Sequence, residues 1–260
     1  MDVFLKNTLQ IKIIKYFYYT MTTTTENGRL GNQIIRNLAV SLIAEKFKLK
    51  VNYCNKSLIS MLGIELFSGD NIYSQTIELN DNNYFSICNC DNFKYNLDPN
   101  NSYFQTKQIT NLLYLYLHTD IIKNKIIEKN PFKERYKLNN DLFIHIRLTD
   151  TAECNPGIDY YKNTIKNIEC DNIYISTDEV THIIINELLQ NPKIKLINCD
   201  EITTFQFAST CKHIILSHGS FSAIIGYLSF FSKVYYSEYE ENKMWYGDMF
   251  SINNWIKYTF

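Results

Sequence analysis

Four short segments carry residue types suited to holding a phosphate-bearing group. In the first, Phe143-Ile144-His145-Ile146-Arg147 runs into Leu148-Thr149-Asp150. Alternation along an extended chain puts His145 and Arg147 on one face. An arginine there can grip phosphate oxygens with two parallel hydrogen bonds and stabilise the charge that grows on a departing diphosphate. Asp150 is the nearest carboxylate, a candidate proton acceptor and equally a candidate salt-bridge partner for Arg147.

The second segment is Gly28-Arg29-Leu30-Gly31-Asn32-Gln33. It sits between a predicted strand and a helix N-terminus, where unpaired backbone N–H groups and the helix dipole favour an anion. Its glycines let backbone approach a ligand closely. It is neither a G-x-G-x-x-G fingerprint nor a P-loop with its lysine, so ordinary dinucleotide and ATP motifs do not explain it. A tight turn with Asn32 as a cap is the simpler alternative.

In the third, Ser217-His218-Gly219-Ser220-Phe221-Ser222 follows a strand and opens an apolar helix, with Ser220 expected as its N-cap. Its hydroxyls stand beside exposed helix N–H groups, which suits a phosphate. The fourth, Ser176-Thr177-Asp178-Glu179, also ends a strand. Its acidic pair could meet a base or ribose hydroxyls, or simply favour the start of the next helix.

Residue usage sharpens these readings. Of 26 basic residues only Arg29, Arg36, Arg135 and Arg147 are arginines, in a chain otherwise rich in lysine. Each arginine is therefore expected to do something lysine does badly.

The elements that must position these segments follow from periodicity. The run 11–20 reads as a strand, Thr22 to Gly28 as a loop, and residues 32–48 as an amphipathic helix. A helical stretch is expected over 108–129. Beyond Asn130-Pro131, strands at 142–147, 172–176, 194–198, 213–217 and 233–236 alternate with helical patterns at 158–169, 179–190, 201–211 and 221–231. Such alternation predicts an α/β fold with a parallel, doubly wound sheet, which binds ligands at the carboxyl ends of its strands. The expected division gives one unit over 1–135 and a second over 136–260.

With 260 residues and 45% hydrophobic content the chain can bury a sizeable core. A net charge of -1 supplies no broad positive field for nucleic acid. Seven scattered cysteines, at 54, 88, 90, 154, 170, 199 and 211, read as reduced thiols of a cytosol-like compartment. Cys88 and Cys90, the close pair, read as packing residues with no metal-ligand spacing around them. Lys6, Lys12 and Lys15 interrupt the early apolar patches, so neither a cleaved signal nor a membrane anchor is expected.

Taken together, Gly28 to Gln33, His145 to Asp150, Ser176 to Glu179 and Ser220 to Ser222 resemble, in order and spacing, the α-1,2-fucosyltransferase family and its protein O-fucosyltransferase and α-1,6 relatives. The resemblance spans roughly residues 12 to 237 and includes Cys211-Lys212-His213. It implies a GT-B fold of two Rossmann-like domains facing across a cleft, with the C-terminal one holding the donor GDP-fucose and a glycan acceptor between them. It also implies inversion at the anomeric carbon, with no metal cofactor.

On this resemblance Arg147 holds the β-phosphate, Ser220, Phe221 and Ser222 bind the diphosphate, and His145 lies by the nucleotide or sugar. Gly28, Arg29, Gly31 and Asn32 line the sugar end, and Asp178 contacts the donor. The chain departs from the family's pattern at Leu148, where many members carry a second arginine, and at Thr204, where relatives often carry an aspartate. Ala223-Ile224-Ile225 replaces a frequent aromatic pair. Rhamnose, glucose or N-acetylhexosamine donors stay open as alternatives, as does a non-catalytic nucleotide- or carbohydrate-binding role.

Overall fold

A computed structural model describes residues 21–150, 152–238 and 248–258. The strand expected over 11–20 lies outside the described residues.

The first half alternates short strands with helices: β1 (Thr22–Thr23), α1 (Leu30–Phe47), β2 (Val51–Asn52), α2 (Lys56–Ser60), β3 (Thr76–Glu78), α3 (Tyr84–Cys88), β4 (Asn96–Asp98), α4 (Lys107–Leu117) and α5 (Asp120–Lys129). β1 pairs with β2 and β3 with β4, both parallel. The Leu97 amide donates to Thr22 Oγ1 at 2.8 Å, tying β4 to β1. The start of the expected loop is thus a strand. Threonine's branched Cβ fits extended backbone, and the hydroxyl of the buried Thr22 is satisfied by that amide.

α1 forms where the apolar spacing predicts it, but it is not a surface amphipathic helix. Thirteen of its eighteen residues are buried. The buried positions include the polar Gln33, Arg36, Asn37 and Ser41, so more than an apolar stripe is covered, and both α4 and α9 (Gly219–Tyr227) pack against α1. The helical stretch expected at 108–129 is two helices. It breaks at His118 and Thr119, where Thr119 takes an extended conformation as the N-cap of α5.

The second half contains β5 (Leu142–Ile146), α6 (Ile158–Lys166), β6 (Ile173–Thr177), α7 (Ile183–Leu188), β7 (Ile194–Leu196), α8 (Glu201–Ala208), β8 (His213–Ile215), α9, β9 (Lys233–Ser237) and β10 (Ile256–Tyr258). Its six strands form one parallel sheet in the order β10-β9-β8-β5-β6-β7. This is the doubly wound α/β arrangement the alternation predicts, with β10 as an additional edge strand. The chain moves outward from β5 in one direction through β6 and β7. It then returns to lay β8, β9 and β10 on the other side. The switch point therefore falls between β5 and β8, and open α/β sheets bind ligands in the crevice at the carboxyl ends of such strands.

Strand alternation sorts the core into two faces. Leu142, Ile144 and Ile146 pack with Tyr160, Tyr161 and Ile185 on the α6/α7 face. Phe143 joins Phe205 and Ile224 on the α8/α9 face. That second cluster runs continuously from Leu30 to Trp255, crossing the division at 135/136. The joint between α1 and α9 depends on Gly31. A Cβ there would sit 2.6 Å from the Phe221 amide nitrogen and 2.7 Å from the Ser220 carbonyl carbon. Backbone atoms cannot swing aside as a flexible side chain can.

Candidate functional site

β5 delivers His145 and then Arg147 toward the α8/α9 face at the switch point, as alternation requires. β8 delivers Ser217 and His218 beside them, and α9 begins at Gly219. The N-cap of α9 is His218, not Ser220, which lies inside the first turn. α1 likewise starts one turn earlier than a cap at Asn32 would allow, with Arg29 as N-cap. Neither Arg29 nor His218 caps its helix with a side-chain hydrogen bond. The first-turn amides of α9 thus stand without a side-chain acceptor at the N-cap, which favours an anion there.

Gly219 has φ +84, and a Cβ added to it would come within 2.5 Å of Arg147 Nη1. The left-handed turn and the missing side chain together let the guanidinium lie against the start of α9.

These elements enclose a cleft of about 620 Å³, part of it open to solvent. Arg29, His145, Arg147, Asp178, Ser220 and Phe221, six of the residues expected from sequence, line it. Ser176, Thr177, Cys199, Glu201 and Thr204 complete the wall. Asp200 heads α8 (Glu201–Ala208), accepting the Thr203 amide at 2.9 Å, and Thr204, where the resemblance expects an aspartate, is buried in the first turn.

The remaining expected residues support the cleft from behind. Ser222 is fully buried and its Oγ meets His145 Nδ1 at 2.6 Å. Gly31 makes the α1/α9 contact described above. Gly28 and Asn32 stand off the cleft wall: the Gly28 carbonyl accepts from Gln33 Nε2 at 2.8 Å, and Asn32 Oδ1 accepts from Gln105 Nε2 at 2.7 Å.

His145 is enclosed, its ring stacked on Phe221, which stacks in turn on Phe205 at a centroid distance of 4.2 Å. Burial pushes its pKa down to about 3, despite the opposing pull of Asp178. The imidazole is therefore neutral near pH 7, fit to hydrogen-bond rather than to supply charge.

Arg147 and Arg29 meet carboxylates. Arg147 Nη2 donates to Asp150 Oδ1 and Oδ2 at 2.9 and 3.0 Å, and Nε donates to Oδ1 at 3.2 Å. Arg29 Nη1 donates to Asp178 Oδ2 at 3.1 Å, and Nη2 to Thr149 Oγ1 at 3.1 Å. Asp178 also accepts the Leu148 amide at 2.7 Å and the Thr149 hydroxyl at 2.5 Å. Burial works against ionisation of Asp178, but these donors outweigh it and hold its carboxyl below the ordinary range. For Asp150 partial burial is likewise overcome, chiefly by Arg147. Glu201 differs: burial raises its pKa, with Arg29 only partly offsetting it.

Leu148, at the position expected to bear on phosphate contact, is buried in the α6/α7 core and does not line the cleft. Arg29 brings a second guanidinium to the site from the other half of the chain, 3.4 Å from Asp150.

Two residues the sequence did not single out, Asn155 and Tyr161, and Arg36, marked only as a scarce arginine, orient these groups. Asn155 Nδ2 donates to the Arg147 carbonyl at 3.0 Å, and Tyr161 donates to Ser217 Oγ at 3.1 Å; that hydroxyl accepts the Arg147 amide at 3.3 Å. Asn155 stands in a turn-forming Asn-Pro-Gly run, which signals a loop and nothing about its partners. Arg36 is fully buried and donates to the carbonyls of Ser102, Thr25 and Asn27, pinning the loop that leads into Gly28.

All seven cysteines are free thiols, and Cys88 and Cys90 are half-buried around the end of α3. Among the described residues no group of three or more His, Cys, Asp or Glu side chains is arranged to hold a metal ion, and no helix is long and apolar enough to cross a membrane. No known family model matches the chain, and no curated protein matches it.

Proposed function

We propose that this chain is a glycosyltransferase that moves a sugar from a nucleoside diphosphate donor to a glycan hydroxyl, with GDP-fucose the first candidate donor. One observation carries the reading. At the sheet's switch point the Arg147 guanidinium lies against the start of α9, whose N-cap His218 makes no side-chain cap hydrogen bond. A guanidinium fork and helix amides converging on one place suit a diphosphate better than a neutral ligand.

In this reading the cleft is formed between two Rossmann-like units of a GT-B arrangement. Asp178, Thr177 and Glu201 face the nucleoside end of the donor, where acidic and hydroxyl groups can meet ribose or base donors. Arg147 takes the terminal phosphate of the diphosphate. Ser220 and Phe221 present the first turn of α9 to it, and neutral His145 holds Ser222 and the Phe221 ring in place. Arg29 closes the site from the α1 side.

The sugar's anomeric C–O bond breaks as the acceptor oxygen approaches from the opposite face, inverting the centre. Charge building on the leaving diphosphate is met by the Arg147 guanidinium and the helix amides, groups already oriented before the reaction begins. As the new C–O bond forms, the acceptor's proton passes to a general base or to water.

A thermal-shift panel of nucleoside diphosphates and nucleotide sugars tests this directly. A true donor or product stabilises the fold by mass action, by about 2.7 kcal/mol at a hundredfold excess over its Kd. GDP and GDP-fucose are expected to raise the midpoint more than GMP. If no nucleoside diphosphate shifts it, the reading fails. A shift by UDP- or dTDP-linked sugars alone moves the donor away from fucose.

A further inference from the structure

Arg147 commits its fork within the chain. Its three donor contacts to the two oxygens of Asp150 reproduce the geometry in which an arginine grips a phosphate. A diphosphate gripped by the fork of Nε and Nη2 takes those donors from Asp150.

Charge favours the exchange. In and beside the cleft stand two guanidinium groups, Arg29 and Arg147, and three carboxylates, Asp150, Asp178 and Glu201. Two positive and three negative groups sum to a formal charge of -1, which opposes an incoming polyanion.

The carboxylates bordering the arginines are held differently. Asp178 is fastened by the Leu148 amide, the Thr149 hydroxyl and Arg29 at once. Asp150 lies in the turn after β5; besides Arg147 its side chain meets Thr149 Oγ1 at 3.3 Å and Arg29 Nη2 at 3.4 Å, both longer contacts, and 50% of it is exposed, whereas the Arg147 side chain is 10% exposed. One rotation about its side chain puts the Asp150 charge in water, where it is well solvated.

We propose that Asp150 is a displaceable counter-ion that holds the place of the donor's terminal phosphate. It yields Arg147 to the incoming diphosphate and returns to Arg147 as the product diphosphate departs. Asp150 thereby tunes donor affinity and product release, and it acts only on ligands with a phosphate that reaches Arg147. The inference rests on Arg147 being the phosphate-gripping residue proposed above.

Calorimetric titration of inorganic pyrophosphate, GDP and guanosine into wild type, Asp150→Asn and Asp150→Glu tests it. Asparagine keeps the shape and removes the charge, while glutamate keeps the charge. Asp150→Asn is expected to bind pyrophosphate and GDP about tenfold more tightly, the size of a half-exposed bidentate ion pair. Guanosine binding should not change, and Asp150→Glu should stay near wild type.

Pyrophosphate binding that is equal or weaker in Asp150→Asn, or undetectable in both proteins, overturns the proposal. So does a tightening that extends equally to guanosine, which would mean general loosening of the cleft. The glycosyltransferase reading fails separately, by the absence of sugar release from every donor in a protein that still binds pyrophosphate.

Discussion

Arg29, the N-cap of α1, and Asp178, just past the end of β6, meet through a 3.1 Å hydrogen bond between Nη1 and Oδ2, although they lie 149 residues apart. This contact joins the two halves of the chain at the rim of the cleft. The Arg29 side chain is 51% exposed, so the pair is solvent-screened and is expected to contribute about 1 kcal/mol or less to stability. A double-mutant cycle of Arg29→Ala and Asp178→Asn, read by denaturant midpoints, should return a coupling of that size. The same variants should weaken donor binding by more than they weaken the fold, because both side chains line the cleft.

Gly31 sets how closely α1 approaches α9. Gly31→Ala forces a methyl group against backbone atoms of Ser220 and Phe221. The expected loss is about 1–3 kcal/mol, the range for overpacking a well-fitted contact. Urea unfolding measures it. Because the displaced atoms belong to the first turn of α9, nucleotide affinity should fall with it.

Arg36 is expected to matter without touching a ligand. Its guanidinium is buried, donates to three carbonyls, and leaves Nη2 without a partner. Burial lowers its pKa, with Tyr103 and Cys54 partly opposing. Arg36→Lys keeps the charge but loses the planar fork that spans Ser102, Thr25 and Asn27. A loss of about 1–3 kcal/mol follows from unmade buried hydrogen bonds, with faster hydrogen exchange over residues 25–28 as the local readout.

Acid should weaken the fold through His145. Its folded pKa of about 3 lies well below the free value of about 6.5, so the unfolded chain binds more protons between them. Stability from neutral His145 is complete above about pH 6.5 and is withdrawn as pH falls toward 3. His213, pushed down to about 4 mainly by burial, acts in the same direction. His145→Gln should therefore flatten part of the fall in melting temperature between pH 6.5 and 4, and an unchanged slope would contradict the assignment of a buried neutral imidazole.

Much of the sheet was legible because β5 to β9 are β-branched or aromatic runs separated by helical spacing. β10 was not, since Ile256-Lys257-Tyr258 offers three residues and little alternation to read. Burial of α1 on more than one side could not be read from its own spacing, because it depends on α4 and α9. At the site, six expected residues line one cleft, since strand ends and helix starts carry recognisable residue types. The roles of Tyr161 and Arg36 escaped because their partners lie far away in sequence: Tyr161 and Ser217 are 56 residues apart, and Arg36 and Ser102 are 66. Asn155 lies only eight residues from Arg147, but its Asn-Pro-Gly run signals a turn and no partner. The Arg147–Asp150 pair was visible as a possibility three residues long. Its bidentate form came only with the turn after β5.

The most direct test of the account is nucleoside diphosphate release from the donor that gives the largest thermal shift, GDP-fucose first, by wild type, Arg147→Ala and Arg147→Lys. If Arg147 meets the leaving diphosphate, Arg147→Ala should remain folded yet lose about a hundredfold to a thousandfold in kcat, as when one oriented donor to a developing charge is removed. Arg147→Lys should recover only part, because lysine restores the charge without the fork. Release by Arg147→Ala at close to the wild-type rate would contradict the central claim.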